Sequence, residues 1–261
     1  YNFNSGVIVT RIFTGQKIFV DSSDISLAPH LILEGNWETE ITNVFMSLIK
    51  RDSIVFDLGA NFGWFTLIAG TIVRSEGSIH AFEANPKLVE LIQKSVNVNG
   101  LDSFCKINNV AVSSVDNKNI YLNIYKDFIG SSFINDYQIE SSPNDRFKID
   151  YSIQVNTITL DTYCKQNNIE KIDVLKIDVE GHEEDVWDGM INILNSSLNR
   201  IKILIEFSAN RYKNPEKFFN KIKEKFSKIQ RISANGMLIP VKSYKEDEHI
   251  FEKDWVMLLI H

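Results

Sequence analysis

Short apolar runs alternate with helical patterns along most of the chain. The runs are Ile54-Val55-Phe56, Ser78–Phe82, Cys105–Val112, Val174–Ile177 and Ile201–Phe207, and between them Phe62–Val73, Pro86–Asn99, His182–Leu194 and Pro215–Phe226 carry apolar residues at helical spacing. Runs of that length predict strands buried on both faces, and their alternation with helices predicts a parallel α/β sheet covered on both sides. Upstream, Val7–Phe13 and Lys17–Val20 are β-rich and flank Thr14-Gly15-Gln16, which predicts a hairpin. Glu38–Lys50 places Ile41, Val44, Phe45, Leu48 and Ile49 at helical spacing, an amphipathic helix leading into the main domain. Downstream, Gln230–Ser233, Met237–Val241 and Trp255–Ile260 read as strands with no long helix between them, which predicts an antiparallel edge strand closing the sheet. Asp127–Asp150 is polar, with Gly130, Ser131 and Ser132, and is too long for an ordinary connection; it predicts a substrate-facing lid.

Composition narrows the classes. With 261 residues, 44% of them hydrophobic, the chain can bury one sizeable core. The formal net charge is −6, the opposite of a global nucleic-acid footprint, so no nucleic-acid partner is expected. Cys105 and Cys164 are too few for a disulfide framework and lack metal-site spacing, which suits a reducing, cytoplasmic compartment. The charge-free run Leu58–Val73 is too short and too interrupted by glycine for a membrane span. The chain opens on Tyr rather than Met, so it reads as trimmed or cut from something longer. Arg211–Arg231 carries eight Lys or Arg against two Glu, with Phe218, Phe219, Ile222, Phe226 and Ile229 at helical spacing. That is a core-facing helix with a solvated basic face, or a docking face for an anionic substrate or for peripheral membrane contact.

The strand ends carry the chemistry, because ligands of open α/β sheets sit there. The first strand runs Val55-Phe56-Asp57-Leu58-Gly59-Ala60-Asn61-Phe62-Gly63-Trp64-Phe65-Thr66, through a glycine turn into a helix. A dinucleotide loop needs glycine where Asn61 stands, so that the backbone can approach a pyrophosphate. Asp57 would repel a phosphate and welcome an ammonium or hydroxyl. A phosphate-free cofactor with a charged amino-acid end fits better. The second strand ends Ala81-Phe82-Glu83-Ala84-Asn85-Pro86, placing Glu83 where it can accept hydrogen bonds from both ribose hydroxyls. S-adenosylmethionine has that ribose and no phosphate. Asn109, Val110 and Ala111 on the third strand can flank an adenine. The fourth strand ends Leu175-Lys176-Ile177-Asp178-Val179-Glu180-Gly181-His182-Glu183, with Asp178 and Glu180 on one side of an extended segment. Glu206 lies inside the apolar run of the neighbouring strand, and buried carboxylates are costly unless paired. Glu183, Glu184 and Asp185 suit the positive end of a helix dipole. His182 is either a general base or a helix-start histidine bonded to a carbonyl. Three acids and a histidine also suit a divalent cation; nothing in their spacing forces one, and no metal is expected.

With these motifs the sequence resembles the FkbM-family methyltransferases, a branch of the class I S-adenosylmethionine-dependent enzymes. The resemblance runs from about Gly35 to Gly189 and rests on Gly35-Asn36-Trp37-Glu38, the loops around Asp57–Gly63 and Ala81–Pro86, Asn109–Ser113, Gly130-Ser131-Ser132, Thr157–Asp161 and Leu175–Glu183. It implies a Rossmann-like α/β fold, a seven-stranded, mostly parallel sheet with a reversed last strand. The residue patterns divide the chain into an N-terminal hairpin and helix over residues 1–50 and an S-adenosylmethionine-binding domain over 51–261. It also implies O-methylation of a hydroxyl on a glycan, glycolipid or related natural product, with S-adenosylhomocysteine as product. Carried over residue by residue, Asp57, Gly59, Asn61 and Gly63 surround the methionine end, Glu83 takes the ribose, and Asn109, Val110 and Ala111 lie near the adenine. Asp178 and Glu180 lie beside the sulfonium and the acceptor, and His182 is a candidate base. Ala60, Phe65, Thr66 and Ala84 are further cofactor-binding candidates, and Glu206, beyond the span of the resemblance, is a catalytic candidate from its place in the apolar run. No Asp/Asn-Pro-Pro-Tyr/Phe pattern follows the fourth strand and neither cysteine follows a proline, which disfavours base methylation. The alternatives are an NAD-dependent sugar-modifying oxidoreductase, against which Asn61 argues, and a non-catalytic cofactor-binding module.

Overall fold

The computed structural model describes residues 2–3, 6–136, 139, 148–252 and 255–261. The N-terminal strands β1 (Asn2–Phe3), β2 (Val7–Arg11) and β3 (Lys17–Asp21) form a three-stranded antiparallel sheet, followed by helices α1 (Ala28–Leu33) and α2 (Thr39–Leu48). Then come β4 (Ile54–Leu58), α3 (Trp64–Ile72), β5 (Ser78–Phe82), α4 (Pro86–Val98) and β6 (Cys105–Asn108). The middle of the chain holds β7 (Ala111–Val112), β8 (Asn119–Tyr125), β9 (Phe133–Asn135), β10 (Ile149–Ile158) and α5 (Leu160–Gln166). After these follow β11 (Val174–Ile177), α6 (Glu183–Asp188), α7 (Ile191–Ser197), β12 (Lys202–Phe207) and α8 (Pro215–Lys225). The described chain ends with β13 (Ile229–Ile232), β14 (Leu238–Pro240), α9 (Tyr244–Phe251) and β15 (Val256–Ile260).

The central sheet has the order β14-β13-β15-β12-β11-β4-β5-β6. Neighbours from β12 to β6 are parallel, as their continuous apolar sequences require, and β15 runs against both β12 and β13. This is the Rossmann-like sheet with a reversed last strand, and it carries an eighth strand, β14, on the outer edge of β13. The expected antiparallel edge is β14, while the reversed β15 lies inside the sheet and the eight-residue α9 separates the two. The expected helix over 182–194 is broken into α6 and α7 at Gly189, where a Cβ would lie 2.0 Å from the Ser113 carbonyl oxygen. The single strand expected over 105–112 divides too: β6 stays in the central sheet, while β7 joins a second sheet of order β7-β10-β8-β9. Of the expected lid, residues 127–136, 139 and 148–150 contribute a short 3-10 turn at Ile129–Ser131 and parts of that second sheet. Residues 137, 138 and 140–147 lie outside the described residues.

Period-two alternation splits the core between the two faces of the central sheet. Val55, Val174, Leu204 and Met257 face one cluster; Phe56, Leu175, Ile205 and Leu258 face the other. The N-terminal extension belongs to the first cluster, where Ile18, Leu31, Ile41 and Phe45 pack with residues of α3 and α4. Helix starts follow local chemistry: Asn85 and Asn214 each cap a helix that has Pro in its first turn, accepting from Lys87 N and Lys217 N. Helix α8 buries Phe218, Phe219 and Ile222, so its apolar side faces the core, and its Lys221 binds Glu184 and Asp188. Both cysteines are free and buried, and burial pushes each thiol up to about 12.

Candidate functional site

A cavity of about 310 Å³ opens at the carboxyl ends of β4, β5, β11 and β12. Its floor is the turn after β4. Gly59 has φ +73°, and a Cβ there would lie 1.8 Å from the Asp178 carbonyl oxygen, so only glycine lets the ends of β4 and β11 come this close. The N–H groups of Gly59 and Ala60 both donate to the Phe82 carbonyl at 3.0 Å. Asn61 is left-handed at φ +53°, and its N–H donates to Glu83 Oε2 at 2.8 Å. Asn85 N–H donates to Glu83 Oε1 at 2.9 Å. Glu83 is thereby fixed by backbone at both oxygens. Burial pushes its carboxyl up to about 7, against the pull of those hydrogen bonds.

Beneath the floor lies a buried charge cluster. Asp57 is fully buried and accepts from Thr66 Oγ1 at 2.6 Å. Lys176, buried in the apolar run of β11, stands 3.8 Å from Asp57 Oδ1 and 3.1 Å from Asp178 Oδ2, with Nζ 4.9 Å from the centre of the Phe65 ring. Burial alone would lower the Lys176 pKa, but Asp178, Asp57 and Glu38 outweigh it and hold the ammonium above its ordinary range. Lys176 is the counter-ion that makes two acids tolerable at the ends of the neighbouring strands β4 and β11.

A second cluster sits between β11 and β12. Arg211, in the turn after β12, bridges Glu180 Oε2 at 2.6 Å and Glu206 Oε2 at 2.9 Å. Burial and the neighbouring carboxylate Asp178 raise the pKa of both acids despite that cation. Glu180 is itself left-handed, φ +56°. The loop that presents it is tied down by Glu183, which is fully buried and accepts from Val179 N–H, Gly181 N–H and the Tyr212 hydroxyl at 3.0, 3.2 and 2.9 Å. Glu183 thus does more than complement a helix dipole.

Of the sequence-derived candidates, Gly59, Ala60, Asn61, Phe65, Glu83, Ala84, Val110, Ala111, Asp178, Glu180 and Glu206 line the cavity. Asp57, Gly63 and Thr66 support it from below, Gly63 opening α3 at φ +87°. Asn109 turns its amide onto the carbonyls of Glu83 and Ala84, each at 3.0 Å, and does not reach the lining. His182 is also outside. Its Nε2 lies 2.9 Å from Ser113 Oγ and its Nδ1 3.5 Å from Asp185, so the ring is engaged away from the cavity; burial lowers its pKa. The lining adds residues for which sequence reasoning gave no role: Lys176, Arg211, Glu38, Trp255, Ser26 and Leu27. Gly130 to Ser132 line it as well, and a Cβ on Gly130 would lie 2.3 Å from Asn61 Nδ2. A lysine inside the apolar run Val174–Ile177 was a visible signal for the first; nothing in the sequence pairs Arg211 with Glu180.

Residues 57–232 match the family model of the methyltransferase FkbM domain. The chain belongs to the FkbM methyltransferase family. A hexuronic acid methyltransferase of Haloferax volcanii is 27% identical over 164 residues, which cover 61% of this chain and 59% of that protein. The match therefore spans less than two thirds of that relative's length. Among solved structures, an S-adenosylmethionine-dependent O-methyltransferase from Thermotoga maritima is similar over 97% of this chain and 77% of its own, at 13% identity and a TM-score of 0.43. A tRNA m1G37 methyltransferase from M. jannaschii is similar over 100% of this chain and 55% of its own, at 14% identity and a TM-score of 0.48. Among the described residues no group of three or more His, Cys, Asp or Glu side chains is placed to hold a metal ion, and no helix is long and apolar enough to cross a membrane.

Proposed function

We propose that this FkbM-family chain transfers a methyl group from S-adenosylmethionine to an oxygen of a saccharide, a hydroxyl of a glycan, glycolipid or related natural product. The observation that carries the reading is the convergence on one cavity of a backbone-anchored Glu83, the Gly59 turn and the acids Asp178, Glu180 and Glu206. The donor set suits this cofactor. Glu83 faces the cavity with a carboxylate able to take ribose hydroxyls, Val110 and Ala111 offer apolar walls to an adenine, and Asn61 Oδ1 is a buried acceptor with no hydrogen-bond partner among the described residues. S-adenosylmethionine supplies an electrophilic methyl group on a sulfonium. Asp178, held by Lys176, places negative charge beside that region, and the Glu180–Arg211–Glu206 bridge fixes two further acids toward the acceptor side. Glu180, pushed up to about 7, is matched to taking a hydroxyl proton at working pH, whereas Glu206, pushed up further, holds its proton there. The name of the Haloferax relative supports a sugar acceptor. The reading includes a cytoplasmic location, supported by two free, buried thiols.

Calorimetric titration with S-adenosylmethionine, with NAD as comparator, tests the first half. Saturable binding of S-adenosylmethionine alone, weakened at least tenfold in Glu83→Ala, is expected. Formation of S-adenosylhomocysteine on a panel of glycosides and hexuronic acids tests the second. Binding of NAD in place of S-adenosylmethionine by the folded protein would overturn the proposal.

A further inference from the structure

Beside the cofactor cavity lies a second chamber of about 290 Å³, and the two share Glu38 and Trp255 as common walls. Glu38 precedes α2 in a left-handed conformation, φ +41°, which a non-glycine residue adopts only when its surroundings hold it there. Its Oε2 is buried without a hydrogen-bond partner among the described residues. On the other side of the chamber's chemistry, Arg231 of β13 has a buried Nε that is equally unpartnered, and no ion pair engages its guanidinium among the described residues. Arg231 lines this chamber and not the cofactor cavity. Trp255, 40% exposed, adds an aromatic surface, Ile41 an apolar one, and Glu40 a further acceptor.

Two acids, Glu38 and Glu40, and the guanidinium-bearing Arg231 line one chamber, which calls for a ligand that both donates and accepts over a short span. A phosphate or other simple anion would satisfy Arg231 but face Glu38 and Glu40; a cation would satisfy the acids but face Arg231. Hydroxyls on adjacent ring carbons do both, and the C–H face of a sugar ring packs on an indole. We infer that the second chamber binds one pyranose ring of the acceptor, with a ring hydroxyl directed past Glu38 into the cofactor cavity. The inference rests on the methyltransferase reading given above. Burial, with the nearby Asp178 charge, pushes the Glu38 carboxyl up to about 7, so a hydroxyl at this wall meets a group able to accept or donate near neutral pH.

Saturation-transfer NMR on the protein with S-adenosylhomocysteine, using methyl α-glucopyranoside, methyl α-galactopyranoside and methyl glucuronide as probes, tests the chamber directly. Transfer to the ring protons of at least one glycoside is expected, falling at least fivefold in Arg231→Ala. Ser233→Trp, which fills the chamber from the end of β13, is expected to abolish it. Both variants are expected to keep the wild-type affinity for S-adenosylmethionine within twofold, which also establishes that they fold. No transfer to any of the three glycosides, or equal transfer in the two variants, would overturn the assignment. Failure of the wild type to bind S-adenosylmethionine would instead overturn the cofactor reading, since glycoside transfer is read separately.

Discussion

Glu83 is a carboxyl group with two backbone N–H partners and a raised pKa of about 7, and that combination makes cofactor affinity pH-dependent. Ribose hydroxyls donate to the ionised form. As pH falls through about 7 the group gains a proton, so S-adenosylmethionine affinity is expected to fall about tenfold between pH 8 and pH 6. Calorimetry at the two values checks this, and Glu83→Gln should remove Glu83's share of the slope. Stability of the free protein runs the other way. Between the ordinary value of 4.5 and about 7 the folded form binds the extra proton, so the Glu83 contribution is full below that window and is lost as pH rises through it. At this scale the sequence was most legible where a charge interrupts an apolar run: Asp178, Glu180 and Glu206 stand out because burying them is costly. Arg211 was illegible because its partners come from two different strands. His182 was misleading for a local reason: Gly181, at φ +99°, redirects the chain, so sequence proximity to Glu180 ends with the ring on Ser113.

Among the elements, α1 and the Ile129–Ser131 turn are held together by one side chain. Asp24 accepts from Leu27 N–H, Ala28 N–H and Ser26 Oγ at 2.8, 2.9 and 2.7 Å, and from Ile129 N–H at 3.1 Å. The turn in turn sets Gly130 against Asn61. Asp24→Ala leaves three buried N–H groups without their acceptor, each loss costing about 1–3 kcal/mol, and amide exchange across residues 127–132 is expected to accelerate at least about tenfold. Unchanged exchange there would show that the turn holds its place without the anchor. The strands β4, β5, β11 and β12 were legible as continuous apolar runs, because both their faces are covered. β8 and β10 lack that signal because they alternate; Asn119, Tyr121 and Asn123 interleave with Ile120, Leu122 and Ile124, as in an antiparallel pair, although Asn123 is itself buried. The strand β15 and its reversed direction were expected, but its place between β13 and β12 was not, since order within a sheet depends on crossovers and not on the composition of the strand.

On the scale of the whole molecule, the N-terminal extension shares the core of the sheet it precedes. Phe45 is fully buried, its ring 5.2 Å from that of Phe65 at an edge-to-face angle of 80°. Phe45→Ala is expected to cost about 3–5 kcal/mol, to lower the midpoint of the entire thermal transition, and to leave that transition single; a separate low-temperature step would mark residues 1–50 as an independent unit. Net charge and surface follow the same economy of contacts, with basic side chains of α8 bound to Glu184, Asp188 and Asn195. The position of β15 reaches beyond the finished molecule. During synthesis the strands from β4 to β12 can pair as soon as they emerge, whereas β13 and β14 can pair only with each other until residues 256–260 arrive to join them to β12. Nearly fifty residues separate the end of β12 from that strand, a delay of several seconds at about 5–20 residues per second. Through that interval the unpaired N–H and C=O edge of β12, flanked by Ile203, Leu204 and Ile205, is open to pairing with another nascent chain, and it is the arrival of β15 that closes it.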